Sequence, residues 1–365
     1  MVRLHEMSAR GIRVALDLGL GQLARFQVLR DGRVIAPFAR VPWADLPDDP
    51  ARFPAGMDPH LRRMSGDFFC APFCADDVEG APPHGWTANA AWTLAEETRF
   101  DGGVTARFTL GHRIAGAEVE KIWTLRDDHT FLYQAHRFTG GTGFLPVAHH
   151  AMLDLRGGGL LRFSPKAWAE TPGAELEPGR SALRYPSEGA DLTAFPGARG
   201  PVDLTRYPIG AAHEDFVMLV DDPGQRLGWV TALRPASGDV VVMVKPVAVL
   251  PQTMLWFSNG GRDQAPWNGS HVGVLGIEEA CALGIEGRQA ATRPNRLTAR
   301  GVATALDLGA GPVTVSTAMG AVPCAARTGQ ALSLTPTAAV LQDGTRLALH
   351  GPHFDGPDQN GPNLE

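Results

Sequence analysis

Residues 255–279 read LWFSNGGRDQAPWNGSHVGVLGIEE. The segment opens on an apolar run, breaks at Asn259-Gly260-Gly261, and closes on a second apolar run ending in Glu278 and Glu279. Neither run repeats at three and four residues, so the segment is two strands joined by a loop. Between them Arg262, Asp263, Gln264, Trp267, Asn268 and His271 crowd a connection broken by Gly and Pro. A flat apolar ring among directional polar groups is the mixture that pockets for small polar ligands use. Side chains alternate across a strand, so only one of Glu278 and Glu279 can face a given pocket.

The same pattern runs outward in both directions. Upstream, GIRVALDLG (11–19) and LARFQVLRDGRVIAPF (23–38) alternate, and Asp31-Gly32 is a two-residue hairpin signal. Short β-branched and aromatic runs follow from Asp67 to Leu155, broken by Gly-Gly, Ala-Gly-Ala and Asp-Asp. Strands resume at HEDFVMLV (213–220), turn at Asp221-Asp222-Pro223-Gly224, and continue to RLALH, with a second hairpin at Asp343-Gly344. Residues 42–63 are an irregular excursion with one helical turn near DPHLRRM. Residues 156–211, rich in Gly, Pro, Ser and Arg, read as loops that cover the sheet or rim a site. No helical period lasts a dozen residues and no long repeat is visible, so the chain is all-β, a sandwich or a closed barrel of 18 or more strands. Residues 1–350 read as one domain, with a split near residue 290 as the alternative, and residues 351–365 as a loosely ordered tail.

Composition narrows the function classes. Of 365 residues, 44% are hydrophobic and 20% charged, as in a globular protein with a large core. Gly 43 and Pro 29 are spread along the chain, which means many turns. A net charge of −6 gives no basic footprint for nucleic acid. No apolar run approaches the roughly 20 residues of a membrane helix, and the start lacks the apolar core of a signal peptide. These features imply a cytoplasmic protein without a nucleic-acid or membrane partner, and leave monomer or homodimer open. The four cysteines, with Cys70 and Cys74 four apart, form neither a disulfide framework nor a metal motif, so they are expected as free thiols. Asn268-Gly269-Ser270 has the glycosylation pattern, which carries no weight without a secretion signal.

Two further polar stretches interrupt the strands: HGWTANAAW (84–92), in a loop that leads into a strand, and LPVAHHAMLDL (145–155). As with the glutamates, His149 and His150 must face opposite ways on a strand. Taken in order, these stretches resemble the aldose 1-epimerase, or galactose mutarotase-like, superfamily, and within it the hexose-6-phosphate mutarotase-like branch. That branch carries HGFAR-x-x-x-W. Here His84, Gly85, the aromatic Trp86 and the final Trp92 keep its spacing, while Ala88 replaces the arginine. SGDFFCAPF resembles the family's Gly-rich strand entry. LPVAHHAML places His150 at its second histidine, VLGIEE places Glu278 at its catalytic glutamate, and HEDFVMLV offers Asp215 for its aspartate. The likeness runs over roughly residues 10–350, with insertions at 42–63 and 156–211. The lost arginine argues against a phosphorylated sugar, since phosphate is held by cations or helix termini.

The resemblance implies a large antiparallel β-supersandwich that binds a small-molecule carbohydrate and exchanges its anomers by opening the ring. Glu278 would be the general base and His150 the general acid, with reference pKa values of about 4.3 and 6.5 that burial can move. His84, Asp215, Trp86, Asn259, Arg262 and Trp267 would bind substrate. No metal or organic cofactor is required. Two alternatives stand beside this reading. One is another carbohydrate enzyme, a lyase or a hydrolase in which Asp215 or Asp263 pairs with Glu278. The other is a non-catalytic carbohydrate-binding protein on the same fold.

Overall fold

The structure is a computed structural model and describes residues 2–44, 46 and 52–355. It is 46% strand and 7% helical, and its sheets are antiparallel. Alternation in the sequence becomes alternation in burial. In the strand Gly103–Leu110 every second residue, Val104, Ala106, Phe108 and Leu110, is buried. The Asp31-Gly32 hairpin forms between Gln22–Arg30 and Arg33–Ile35, both turn residues taking positive φ. The expected hairpin at Asp343-Gly344 joins Ala338–Leu341 to Arg346–Ala348. The run ALSLTPTAAVL is not one strand. It folds back at Pro336-Thr337 into Leu332–Thr335 paired with Ala338–Leu341, because proline cannot continue the ladder.

Two large sheets pack face to face as a sandwich. The nine-stranded sheet has Leu227–Arg234, Asp239–Pro246, Val313–Pro323 and Phe131–Thr139 at its centre. The strand Val313–Pro323, which follows residue 290, thus lies in the middle of this sheet. The eight-stranded sheet is built on Lys166–Glu170, His213–Asp221, Gln252–Asn259 and Val274–Cys281, flanked by Val147–His149 and Ala151–Asp154. A four-stranded N-terminal sheet, a three-stranded sheet at residues 332–348 and the two-stranded pairing of Phe144–Leu145 with Leu306–Asp307 complete it among the described residues.

The central strands of the eight-stranded sheet lose the one-sided pattern. All of His213–Asp221 and all of Val274–Cys281 are buried. One face, with Val217, Leu219, Leu255, Phe257 and Ile277, meets the nine-stranded sheet. The other, with Phe216, Met218, Met254 and Trp256, is covered by Trp43 and Phe53 from the irregular excursion and by Val41 and Met64 that flank it. Each such side chain, fully buried, stabilises the fold by about 1.5–3 kcal/mol, so the excursion is a structural cover for that face. Its helical turn near DPHLRRM is the 3-10 turn Pro59–Arg62.

HGWTANAAW departs from the expected loop: Gly85–Asn89 is a short helical turn that runs into Trp92–Phe100. Gly85 sits at φ +69°, and a Cβ there would fall 1.9 Å from the Ala71 carbonyl oxygen, so only glycine fits. Of the expected loose tail, Gly351–Phe354 is a 3-10 turn with Phe354 buried, and residues 356–365 lie outside the described residues. Cys70, Cys74, Cys281 and Cys324 are free thiols.

Candidate active site

Strand parity decides which titratable groups reach the covered outer face of the eight-stranded sheet. The registers Ala148↔Ala280 and Ala151↔Ile277 bring His150 opposite Glu278. Their side chains meet on the outer face, with His150 Nε2 3.1 Å from Glu278 Oε1. Glu279 and His149 point the other way. Glu279 accepts from Thr253 Oγ1 at 2.8 Å and pairs with Lys245 at 2.5 Å. His149 Nδ1 lies 2.9 Å from Asp67, and its Nε2 lies 3.1 Å from Thr317 Oγ1.

The meeting of His150 and Glu278 forms the floor of a cavity of about 230 Å³. His84 and His60 enter from the side, their ring centroids 5.1 Å apart, and His84 stands 5.6 Å from His150. His84 is in the left-handed region at φ 65°, which a non-glycine residue adopts only when its surroundings enforce it. Here the His84 N–H donates to the Cys74 carbonyl at 2.8 Å, and its own carbonyl accepts from Ala71 N at 3.3 Å. The His60 tautomer follows from its neighbour. Asn89 spends its NH₂ on the Pro83 and Gly85 carbonyls, so its oxygen accepts from the His60 backbone N–H and from His60 Nδ1–H at 2.9 Å. His60 Nε2 is left as an acceptor. His150 stacks on Phe68 with centroids 4.5 Å apart.

Burial sets the protonation states. It pushes the Glu278 carboxyl well above the usual carboxylate range. It pushes His150 down to about 3 and His84 well below the imidazole range, the neighbouring histidines adding to the effect. A neutral carboxyl beside a neutral imidazole holds the same number of protons as a carboxylate beside an imidazolium. The pair therefore contains one proton that can cross 3.1 Å.

Arg262 is the cation of the cavity wall, and it is already neutralised. Its Nε lies 3.1 Å from Glu177 and 3.4 Å from Glu214. Its guanidinium lies over Trp256 and Trp267, at 5.2 and 4.9 Å. Glu214 also accepts from Trp256 Nε1 at 2.6 Å and from Ser258 Oγ at 3.1 Å, and burial raises its pKa to about 7.

The remaining expected binding residues lie elsewhere. Asp215 is on the sandwich-core face, where it accepts from the backbone N–H groups of Ala182 and Leu183, from Tyr185 Oη and from His213. Its acceptor capacity is spent on anchoring residues 180–185. Trp86 stacks on His112 at 4.5 Å and does not line the cavity, because the helical turn carries it away. Trp267 packs edge-on against Trp43 beneath Arg262. Asn259 closes the base of its loop by donating to the Gly210 carbonyl and accepting from Gly273 N. Asp263 is exposed and paired with Arg180. Thus His150, Glu278, His84 and Arg262 converge, while Asp215, Trp86, Asn259 and Trp267 do not. The aromatic walls are Phe68, Phe73, Phe216 and Trp256.

His60 and Glu214 were not expected. His60 sits in the excursion, and its only sequence signal was the DPHLRRM turn. Glu214 precedes Asp215 and takes the face expected for Asp215. A larger cleft of about 540 Å³ beside Gly159–Phe163 carries Arg162, Arg206 and Arg327 but no histidine or glutamate. The perturbed acid and base both lie in the smaller cavity. Among the described residues no three His, Cys, Asp or Glu side chains are placed to hold a metal ion, and no helix is long and apolar enough to cross a membrane.

No protein-family profile matches this sequence, and no curated protein matches it. Solved structures do match in shape. A candidate mutarotase from Salmonella typhimurium superposes with a TM-score of 0.57 at 10% identity, over 88% of this chain and 90% of that one. A candidate aldose 1-epimerase from Escherichia coli K12 gives 0.55 at 13% identity, over 88% and 99%. A candidate aldose 1-epimerase from Klebsiella pneumoniae gives 0.58 at 11% identity, over 86% and 78%. At these identities the likeness is one of fold, and the fold is the galactose mutarotase-like β-supersandwich.

Proposed function

We propose that this protein is an aldose 1-epimerase-like enzyme that exchanges the anomers of a cyclic hemiacetal through Glu278 and His150. The observation that carries the reading is the 3.1 Å contact between a carboxyl and an imidazole on the floor of the cavity, both pushed by burial toward their neutral forms. Anomer exchange needs a proton taken from the C1 hydroxyl and another given to the ring oxygen. A pair with one mobile proton does both without exchanging protons with solvent. In the ion-pair form Glu278 accepts the hydroxyl proton and His150 protonates the ring oxygen. The ring opens, the aldehyde rotates, and closure on the other face reverses both transfers. His84 and His60 flank the pair and orient the substrate.

Two observations favour this over the alternatives. A glycoside hydrolase needs two carboxyl groups flanking one bond, and Glu278 is the only carboxylate among the described residues lining the cavity. The structural pairs His149–Asp67 and His213–Asp215 are tied into further hydrogen bonds, whereas Glu278 and His150 meet on a cavity wall with His150 Nδ1 left without a partner, which a binding protein does not require. The hexose-6-phosphate branch is disfavoured, because Ala88 is buried and Arg262 is held by two carboxylates.

The test is saturation-transfer NMR of anomeric exchange across a panel of free aldoses, uronic acids and deoxy sugars, comparing the wild type with His150→Gln. The reading expects faster exchange for some sugar and a loss of about 10²–10⁴-fold in the variant. It expects no acid limb near the ordinary imidazole pKa of about 6.5. Exchange no faster than in buffer for every sugar would end it.

A further inference from the structure

The cavity is mostly apolar, which bears on the kind of hemiacetal it takes. Its polar groups are the three histidines, Glu278 and Arg262. The rest of the lining includes Leu61, Met64, Phe73, Leu176, Phe216 and Ile285. Several polar atoms are already engaged. Arg262 is held by Glu177 and Glu214, His60 Nδ1 by Asn89, and His150 Nε2 and Glu278 Oε1 face each other. What remains for a ligand is His60 Nε2, the His84 ring, the free side of Glu278 and the Nη groups of Arg262, whose Nε alone faces the two carboxylates. The histidines and Glu278 form one cluster, since His60, His84 and His150 follow one another at centroid spacings of 5.1 and 5.6 Å. Hydrogen-bonding capacity is thus confined to this cluster and Arg262, and the rest of the lining is hydrocarbon, aromatic rings and the Cys74 thiol.

A free hexopyranose carries a hydroxyl on almost every carbon. Bound here with its anomeric carbon at Glu278 and His150, it would press several of them against Leu, Ile, Met and Phe side chains. A buried hydroxyl left without a partner weakens binding by roughly tenfold or more. We propose, resting on the anomer-exchange reading, that the preferred substrate is a hemiacetal with a polar anomeric end and an apolar body: a multiply deoxygenated, O-alkylated or otherwise hydrocarbon-bearing sugar. The neutralised Arg262 adds that the body carries no phosphate or carboxylate.

The experiment uses the full-length protein and two readouts, anomer exchange by NMR and binding by isothermal titration calorimetry. The probes are D-glucose and D-galactose, their 2-deoxy and 6-deoxy analogues, glucose 6-phosphate and 2,3,4,6-tetra-O-methyl-D-glucose. The inference expects kcat/KM and affinity to rise by about tenfold for each free hydroxyl removed from the body, with glucose 6-phosphate the poorest probe. Leu176→Asn, a half-buried position on the loop that reaches the cavity, should narrow the preference by offering hydroxyls a partner. Free hexoses handled as well as their deoxy and methylated analogues would overturn the inference and leave the mutarotase reading standing. Tight binding of the deoxy or methylated probes without faster exchange would overturn the mutarotase reading and leave the apolar-body inference standing. Absence of binding by both classes would overturn the inference as well.

Discussion

The two faces of the eight-stranded sheet carry neighbouring residues of the same kind and treat them in opposite ways. On the sandwich-core face, Glu279 joins Lys245, Asp221 and Lys166 in a buried ion cluster, with Lys245 2.9 Å from Asp221 and Lys166 2.5 Å from it. His149 is held at both ring nitrogens. Burial works against the Asp67 charge, yet His149, Gln134 and Lys121 hold its carboxyl below the usual range. One residue along, on the outer face, Glu278 and His150 have each other and little else. The Nδ1 atoms of His150 and His84 are buried without a partner. Glu279 Oε1 and the ring nitrogens of His136 are also unpartnered, but they face packed side chains. The underused groups of the outer face border a cavity, and it is that combination that marks a site.

The largest expected effect breaks the paired face. Lys245→Met leaves Glu279 without its cation and Asp221 with Lys166 alone inside the sandwich, and urea unfolding should show a loss of about 3–5 kcal/mol. A stability change under about 1 kcal/mol would mean that the cluster is not a structural unit.

Glu214 stands between the two cases, buried and bonded yet raised to about 7. A carboxyl whose folded pKa lies above its unfolded value contributes stability that is full below about pH 4.5. That contribution is lost as pH rises through about 7, in all about 3 kcal/mol. Glu214→Gln should remove this slope, so unfolding midpoints of wild type and variant compared at pH 5 and pH 8 should differ more at pH 8. Parallel curves would place Glu214 with the ordinary carboxylates.

The smallest expected effect sharpens the comparison at one position. Asp215→Asn should lower stability by about 1–3 kcal/mol through the lost anchoring of residues 180–185. KM for any active sugar should stay unchanged. A raised KM at unchanged stability would return Asp215 to the site.

The architecture could be read in the sequence because it rests on local rules. Alternation placed the strands, Asp-Gly placed both hairpins, and parity limited Glu278/Glu279 and His149/His150 to two choices each. Asp215 was assigned from the resemblance of HEDFVMLV alone, and parity could not choose between it and Glu214. The strand His213–Asp221 is buried on both faces, so its sequence carries no sign of which side is which. Trp86 was misplaced because five residues coil into a helical turn where a loop was expected, which rotates the side chain away. His60 escaped because it lies in an excursion without period, whose role as a cover appears only once Trp43 and Phe53 are seen on the sheet. The engagement of Arg262 depends on Glu177, far away in sequence, and no local pattern could report it.

The account rests most heavily on two adjacent carboxylates having different tasks. The direct measurement is the anomer-exchange rate per folded molecule in Glu278→Gln and Glu279→Gln, each with its unfolding free energy. Glu278→Gln should lose exchange by about 10²–10⁴-fold while keeping or gaining stability, since a neutral amide suits that dry site. Glu279→Gln should lose stability and keep its exchange rate. Exchange retained in Glu278→Gln, or lost equally in both, would contradict the account.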